Sequence, residues 1–127
     1  MIVAGIGFRR GCSSDKILGI LRAALSLARL PQDALTLIAI PEFKAGEIGP
    51  GTAARTLKVE LREIDSDAIG AAQAACVTRS ETVNRRTGFH SVAEGAALAA
   101  AGPGSRLILA RIDNGSATCA LAEGGAG

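Results

Sequence analysis

Aromatic residues are nearly missing from this chain: three Phe, no Trp and no Tyr in 127 residues. A surface that binds single-stranded nucleic acid relies on stacked aromatic platforms, so that class is excluded. Net charge is also small, at +2, too little for a duplex-binding face. No apolar run reaches the roughly 18 residues needed to cross a bilayer, and the start of the chain carries no targeting pattern. A cytoplasmic protein that binds neither nucleic acid nor membrane is expected. Cysteine is sparse and unpaired. Cys12, Cys76 and Cys119 are odd in number and contain no Cys-x-x-Cys, which argues against a disulfide framework and a zinc site. Cys76 and Cys119 sit among apolar neighbours as small core residues, whereas Cys12, in a loop with basic neighbours, is a candidate reactive thiol.

What is present suits one packed domain. Apolar residues make up 48% of the chain, and 127 residues supply one core but not two. The cations are mostly arginine, which pairs with carboxylate or phosphate in a bidentate manner, although a GC-rich genome also enriches arginine.

Apolar runs at residues 1–7 and 34–40, each closed by Gly or Pro, predict buried strands. Between them Ile17, Leu18, Ile20, Leu21, Leu25 and Leu27 recur at helical spacing, behind Ser13 or Ser14 as cap and ahead of Leu30-Pro31 as stop. Residues 42–51 contain too many helix breakers for regular structure, so a loop with one helical turn precedes a short helix over 52–57. Residues 58–64 alternate polar and apolar, the pattern of a half-exposed edge strand. Ser66 caps a helix to about Ala75, and 77–91 is a long polar loop. Ser91-x-x-Glu94 forms a capping box for an alanine-rich helix ended by Gly102-Pro103. Asn114-Gly115 joins two final strands as a two-residue hairpin. Residues 1–122 form the domain and 123–127 a frayed tail. The order β-α-β-α-β-α-α-β-β predicts an α/β fold: a three-layer α/β/α sandwich on a mixed, mostly parallel five-stranded sheet that ends in an antiparallel hairpin. In such sheets ligands bind beyond the carboxyl ends of the strands, here at loops 8–14 and 41–51.

Four groups of residues carry candidate chemistry. Gly5-x-Gly7-Phe8-Arg9-Arg10-Gly11 joins a strand to a helix and offers guanidinium groups and a helix N-terminus to an anion. It lacks the third glycine of a dinucleotide fingerprint and the Gly-Lys-Ser/Thr of a P-loop, and it also reads as a tight turn with solvated arginines. Lys44 and Glu47 can orient a bound group or form a surface ion pair. His90 is the sole histidine. The capping box explains Ser91 and Glu94 better than a catalytic triad does, and one His cannot fill a metal site, so His90 is left as a hydrogen-bonding or axial-type ligand contact. Arg79, Arg85 and Arg86 with Ser80 occupy the long polar loop ahead of the capped helix.

Taken in order, these residues carry a family resemblance that runs nearly end to end. Val3-x-Gly5-Ile6-Gly7 with Arg9-x-Gly11-Cys12, Lys44-x-x-Glu47, Ser80 with Val83, Thr87-Gly88, Ser91-Val92-Ala93-Glu94 and Thr118-Cys119-Ala120 resemble the family of CobE and the C-terminal domain of CbiG, of cobalamin biosynthesis. The resemblance implies a three-layer α/β fold and a ligand of the precorrin or hydrogenobyrinic acid type, a tetrapyrrole ring bearing many carboxylates, with other enzymes of the pathway as partners. CbiG-type proteins open a ring lactone and release acetaldehyde in the anaerobic pathway. They carry a further N-terminal region, so this chain is expected to be the stand-alone form, similar to CobE of the aerobic pathway. The implied ligand contacts are Gly7, Arg9, Arg10, Gly11, Lys44, Arg79, Ser80, Arg85, Arg86, Gly88 and Ser91. No metal or cofactor is implied. Three roles follow: a carrier or accessory factor for a corrinoid intermediate, a precorrin-5A-type lactone hydrolase with Glu47 or His90 as general base, or a structural subunit of a biosynthetic complex. Near the end of the penultimate strand, Arg111 stands where the family leads one to expect lysine, and a guanidinium cannot serve as a titratable amine.

Overall fold

A computed structural model describes residues 1–124. Its strands are β1 (Ile2–Phe8), β2 (Leu35–Pro41), β3 (Glu60–Ile64), β4 (Arg106–Asp113) and β5 (Ala117–Glu123). Its helices are α1 (Ser14–Leu27), α2 (Ile48–Leu57), α3 (Ser66–Ala72), α4 (Glu81–Thr87) and α5 (Val92–Ala101). The sheet order is β3-β2-β1-β5-β4. β1, β2 and β3 pair in parallel, and β5 runs antiparallel to both β1 and β4. The expected mixed sheet in a three-layer α/β fold is therefore present, with β3 at its edge.

Alternation along the strands splits the core in two. Ala4, Ile6 and Phe8 of β1, with Ile38 and Ile40 of β2, face α1 and α2. Val3, Leu37 and Ala39 face the opposite way, toward Ile69 of α3 and the alanines of α5. α5 lies so close to the sheet that a Cβ on Gly5 would stand 2.0 Å from the Ala93 carbonyl oxygen. Only glycine below and alanine above permit that approach, and this explains the alanine-rich run.

Several local expectations are corrected. α2 begins at Ile48 rather than Thr52. Pro50 is tolerated because it sits in the first turn, where its missing N–H has no intrahelical partner. Gly49 is required because a Cβ there would come 2.3 Å from the Cys12 carbonyl oxygen. Lys58 caps α2 in the left-handed region (φ 59°), which delays β3 to Glu60. Asp65, not Ser66, caps α3, its carboxylate accepting from the Ala68 N–H at 2.7 Å. The loop expected at 77–91 contains α4, capped by Ser80 and ended by Gly88 at φ 83°. The hairpin turn centres one residue late. Gly115 takes φ 91°, and the Asn114 side-chain oxygen accepts from the Ser116 and Ala117 N–H groups. Glu123 pairs with Ile2 and Arg106 in the sheet, and the Gly124 N–H donates to the Met1 carbonyl, so these two residues extend the ladder. The remainder of the expected tail, 125–127, lies outside the described residues.

Candidate functional site

The carboxyl ends of β1, β2 and β4 open onto a cavity of about 550 Å³. Its wall begins at Gly7 and Phe8 and continues through Arg9 and Arg10. Pro41, Phe43 and Lys44 follow from the end of β2; Ser80, Thr82, Val83, Arg86 and Thr87 come from α4 and its cap; Val92 opens α5. Arg111 and Asp113 of β4 and residues 115–118 of the hairpin complete it.

Local structure aims these groups. Arg9 to Cys12 is a tight turn closed by the Cys12 N–H donating to the Arg9 carbonyl at 3.0 Å, with Gly11 at φ 79° in its third position. Such a φ favours glycine and lets both arginines project from one corner. Glu47 Oε1 accepts from the Gly11 N–H at 2.6 Å and pins the turn to the start of α2. The Arg9 N–H donates to the Ser116 carbonyl at 3.3 Å and joins the turn to the hairpin. Lys44 places Nζ 5.7 Å from the centre of the Phe8 ring, a cation–π contact at the cavity wall.

Five cations therefore line the cavity, Arg9, Arg10, Lys44, Arg86 and Arg111, against one carboxylate, Asp113. Among the described residues none of the five is held in an ion pair; the pairs present are Arg62–Glu60 and Arg106–Glu123. A concave, strongly positive surface with unneutralised guanidinium groups concentrates polyanions.

Behind this wall lies Glu94, fully buried. Its Oε1 accepts from the Val77 and Thr78 N–H groups at 2.8 and 3.0 Å. Its Oε2 accepts from the Thr78 hydroxyl at 2.5 Å and from the Arg111 N–H at 2.9 Å. Burial pushes this carboxyl up, but the hydrogen bonds from Arg111, Thr78 and Val77 outweigh it and hold the group below the usual carboxylate range. The Arg111 N–H is free to reach it because the β4–β5 register slips between Leu109 and Ile112, a bulge that takes one amide out of the ladder. Half of the expected capping box is thus present. Ser91 Oγ accepts from the Glu94 N–H at 3.2 Å. The return bond to the Ser91 N–H comes instead from Gln73 Oε1, at 3.2 Å, which also receives the His90 N–H at 3.1 Å.

The cavity brings together Gly7, Arg9, Arg10, Lys44, Ser80, Arg86 and Arg111 of the residues singled out in the sequence. Gly11, Glu47, Arg79, Arg85, Gly88, His90 and Ser91 do not line it. Gly11 and Glu47 build the turn, Gly88 ends α4, and Ser91 is a buried cap. His90 Nδ1 is buried without a hydrogen-bond partner. Cys12 is half-buried; burial, the largest influence, pushes its thiol up, Lys16 opposes this and Glu47 adds to it, so the reactive-thiolate reading loses its support. Sequence reasoning missed Phe43 and residues 115–117 of the hairpin wall, and it named Thr87 and Thr118 only within the family pattern. The available signal for the first was a Phe beside Lys44 in a chain almost devoid of aromatics.

The chain as a whole resembles known proteins. Residues 2–122 match the family described as Cobalamin synthesis G C-terminus. The chain is 33% identical over 121 residues to Protein CobE of a Sinorhizobium species, which covers 95% of this chain and 79% of that protein. The crystal structure of CobE, a protein from the cobalamin (vitamin B12) biosynthetic pathway, superposes with a TM-score of 0.90 at 31% identity, covering 96% of this chain and 89% of that one. Cobalamin biosynthesis protein chiG from Agrobacterium tumefaciens superposes with a TM-score of 0.77 at 34% identity over 98% of both chains. No helix among the described residues is long and apolar enough to cross a membrane. Matched along almost its whole length, the chain belongs to the cobalamin synthesis G C-terminus family and is a cobalamin biosynthesis protein.

Proposed function

We propose that this protein binds a precorrin or hydrogenobyrinic acid-type intermediate at the cavity beyond β1, β2 and β4, and acts as a carrier or accessory factor. One observation carries the reading: five cationic side chains, none in an ion pair among the described residues, surround one cavity. Holding like charges together is costly unless a polyanion neutralises them, and a ring fringed with acetate and propionate groups supplies the carboxylates.

Size supports a carrier. A corrin-type macrocycle is larger than a cavity of about 550 Å³, so it would be gripped by one carboxylate-bearing edge. The remainder would stay accessible to an enzyme of the pathway. The hydrolase alternative has less to stand on, because Glu47 and His90, the expected general bases, do not line the cavity, and Glu47 is engaged by the Gly11 amide. A general base must lie within hydrogen-bond reach of the proton it removes or of one bridging water.

The test is titration with hydrogenobyrinic acid followed by visible and near-ultraviolet absorbance, and a chain without Trp or Tyr contributes little background in the near ultraviolet. A stoichiometric band shift with ligand recovered unchanged is expected. Arg9→Ala and Arg86→Ala should each weaken binding about 10- to 100-fold, the worth of one charge-assisted hydrogen-bonded contact. Recovery of ligand with altered mass would make the protein an enzyme. No shift would leave the structural-subunit role.

A further inference from the structure

The chain holds three Phe and no other aromatic, and two of the three, Phe8 and Phe43, line the one cationic cavity. The third, Phe89, is partly buried and packs against the core beside Gly70. The two cavity rings differ in what already covers them. Phe8 is 9% exposed and has Lys44 Nζ against its face. Phe43 is 45% exposed and is not part of either core cluster.

The backbone beneath Phe43 is fixed although its ring is uncovered. Phe43 sits in the middle of a single 3-10 turn, Glu42–Lys44, that the Ala45 N–H closes onto the Glu42 carbonyl at 2.9 Å. Glu42 Oε1 in turn accepts from the Ser66 N–H at 3.3 Å, tying the turn to the start of α3. Pro41, buried at the end of β2, limits its approach from the other side. An exposed aromatic ring on a restrained turn loses little freedom when it meets a flat ligand, and this is the condition for strong contact per unit area.

We infer that Phe43 packs against the face of the bound macrocycle and selects a ring-shaped polycarboxylate over an open-chain one. This rests on the binding function proposed above and names how the same site recognises its ligand class. Guanidinium groups alone would accept any clustered carboxylates. A planar or gently puckered ring, by contrast, offers an apolar face between its charged edges, and the cavity offers Phe43, Pro41, Val83 and Val92 between its cations.

The decisive experiment compares two probes by calorimetry on the whole chain at low ionic strength: hydrogenobyrinic acid, which has the ring face, and citrate, which has carboxylates without one. Phe43→Ala should weaken hydrogenobyrinic acid about tenfold and leave citrate unchanged, while Arg86→Ala weakens both. Phe43→Leu, which keeps apolar area but loses the flat face, should fall between. Equal losses for both probes in Phe43→Ala, or no loss for either, would overturn the inference while leaving the binding function in place. Citrate bound but hydrogenobyrinic acid not bound by the unaltered chain would overturn the binding function and this inference together.

Discussion

Replacing Glu94 tests how one wall of the cavity is held. The carboxylate gathers four donors from two segments distant in sequence: the Val77 and Thr78 amides, the Thr78 hydroxyl and the Arg111 amide. In Glu94→Ala all four lose their acceptor. The hydroxyl can rotate away, and Val77 is 66% exposed, so water can reach its amide; the Thr78 and Arg111 amides are left to carry the cost. At ~1–3 kcal/mol for each unsatisfied buried donor, the expected destabilisation is about 3–4 kcal/mol. Glu94→Gln retains one oxygen. Its amide nitrogen can donate to the Thr78 hydroxyl but must face the Arg111 N–H donor to donor, so a loss of about 2 kcal/mol is expected. Urea unfolding at neutral pH measures both. Acid unfolding separates charge from shape. The folded chain holds this carboxyl below its usual range, so the stabilisation is complete above the unfolded value and lost as pH falls through the folded one. Below about pH 4 the unaltered chain should therefore lose stability faster than Glu94→Gln. If Glu94→Gln matched the unaltered chain in urea and kept its acid slope, the carboxylate would not be the anchor described, and the bulge at Arg111 would need another cause.

Three further outcomes follow from the same geometry. Gly5→Ala should destabilise by at least the ~1–3 kcal/mol of an overpacked core, because the new Cβ would meet the Ala93 carbonyl at 2.0 Å and that carbonyl belongs to helix backbone; a thermal midpoint equal to that of the unaltered chain would show that α5 lifts freely. Glu47→Gln preserves an oxygen for the Gly11 amide and should bind hydrogenobyrinic acid almost as well as the unaltered chain, whereas Glu47→Ala releases the Arg9–Cys12 turn and should weaken binding about fivefold; equal binding by the alanine variant would detach the turn from the site. Raising salt from about 0.05 to 0.5 M should lower hydrogenobyrinic acid affinity at least about fivefold, since the five cations sit at an open cavity where ions screen them; a salt-independent affinity measured by absorbance would place the ligand elsewhere.

The chain's own pattern determined the order and nature of most elements. Apolar runs marked β1 and β2 because both faces of those strands are buried, and alternation marked β3 because it lies at an edge. Ser13 and Ser91 announced helix starts because a cap bonds to an amide three residues away, within reach of local sequence. That the loop of Arg9 and Arg10 after β1 and the loop of Lys44 after β2 lie at one end of the sheet was legible for a related reason: parallel strands bring the loops at their carboxyl ends together.

What escaped the sequence depended on partners far along the chain. α4 buries none of its residues, so it has no apolar stripe to betray it, and its Arg86 reads as one more charge in a loop until the fold turns it toward β1. Glu94 looked like the second half of a capping box because the spacing fits, yet the amides at 77, 78 and 111 compete for its oxygens and Gln73 takes over the cap. Glu47 was legible as an orienting group, half of an ion pair or a general base, whereas its bond from the Gly11 amide was not, because that amide lies 36 residues away. Periodicity and caps report what a residue meets within its own element. Which charges share a cavity, and which carboxylate is spent on holding its wall, follows only from how the two ends of the sheet and the helices that connect them are packed.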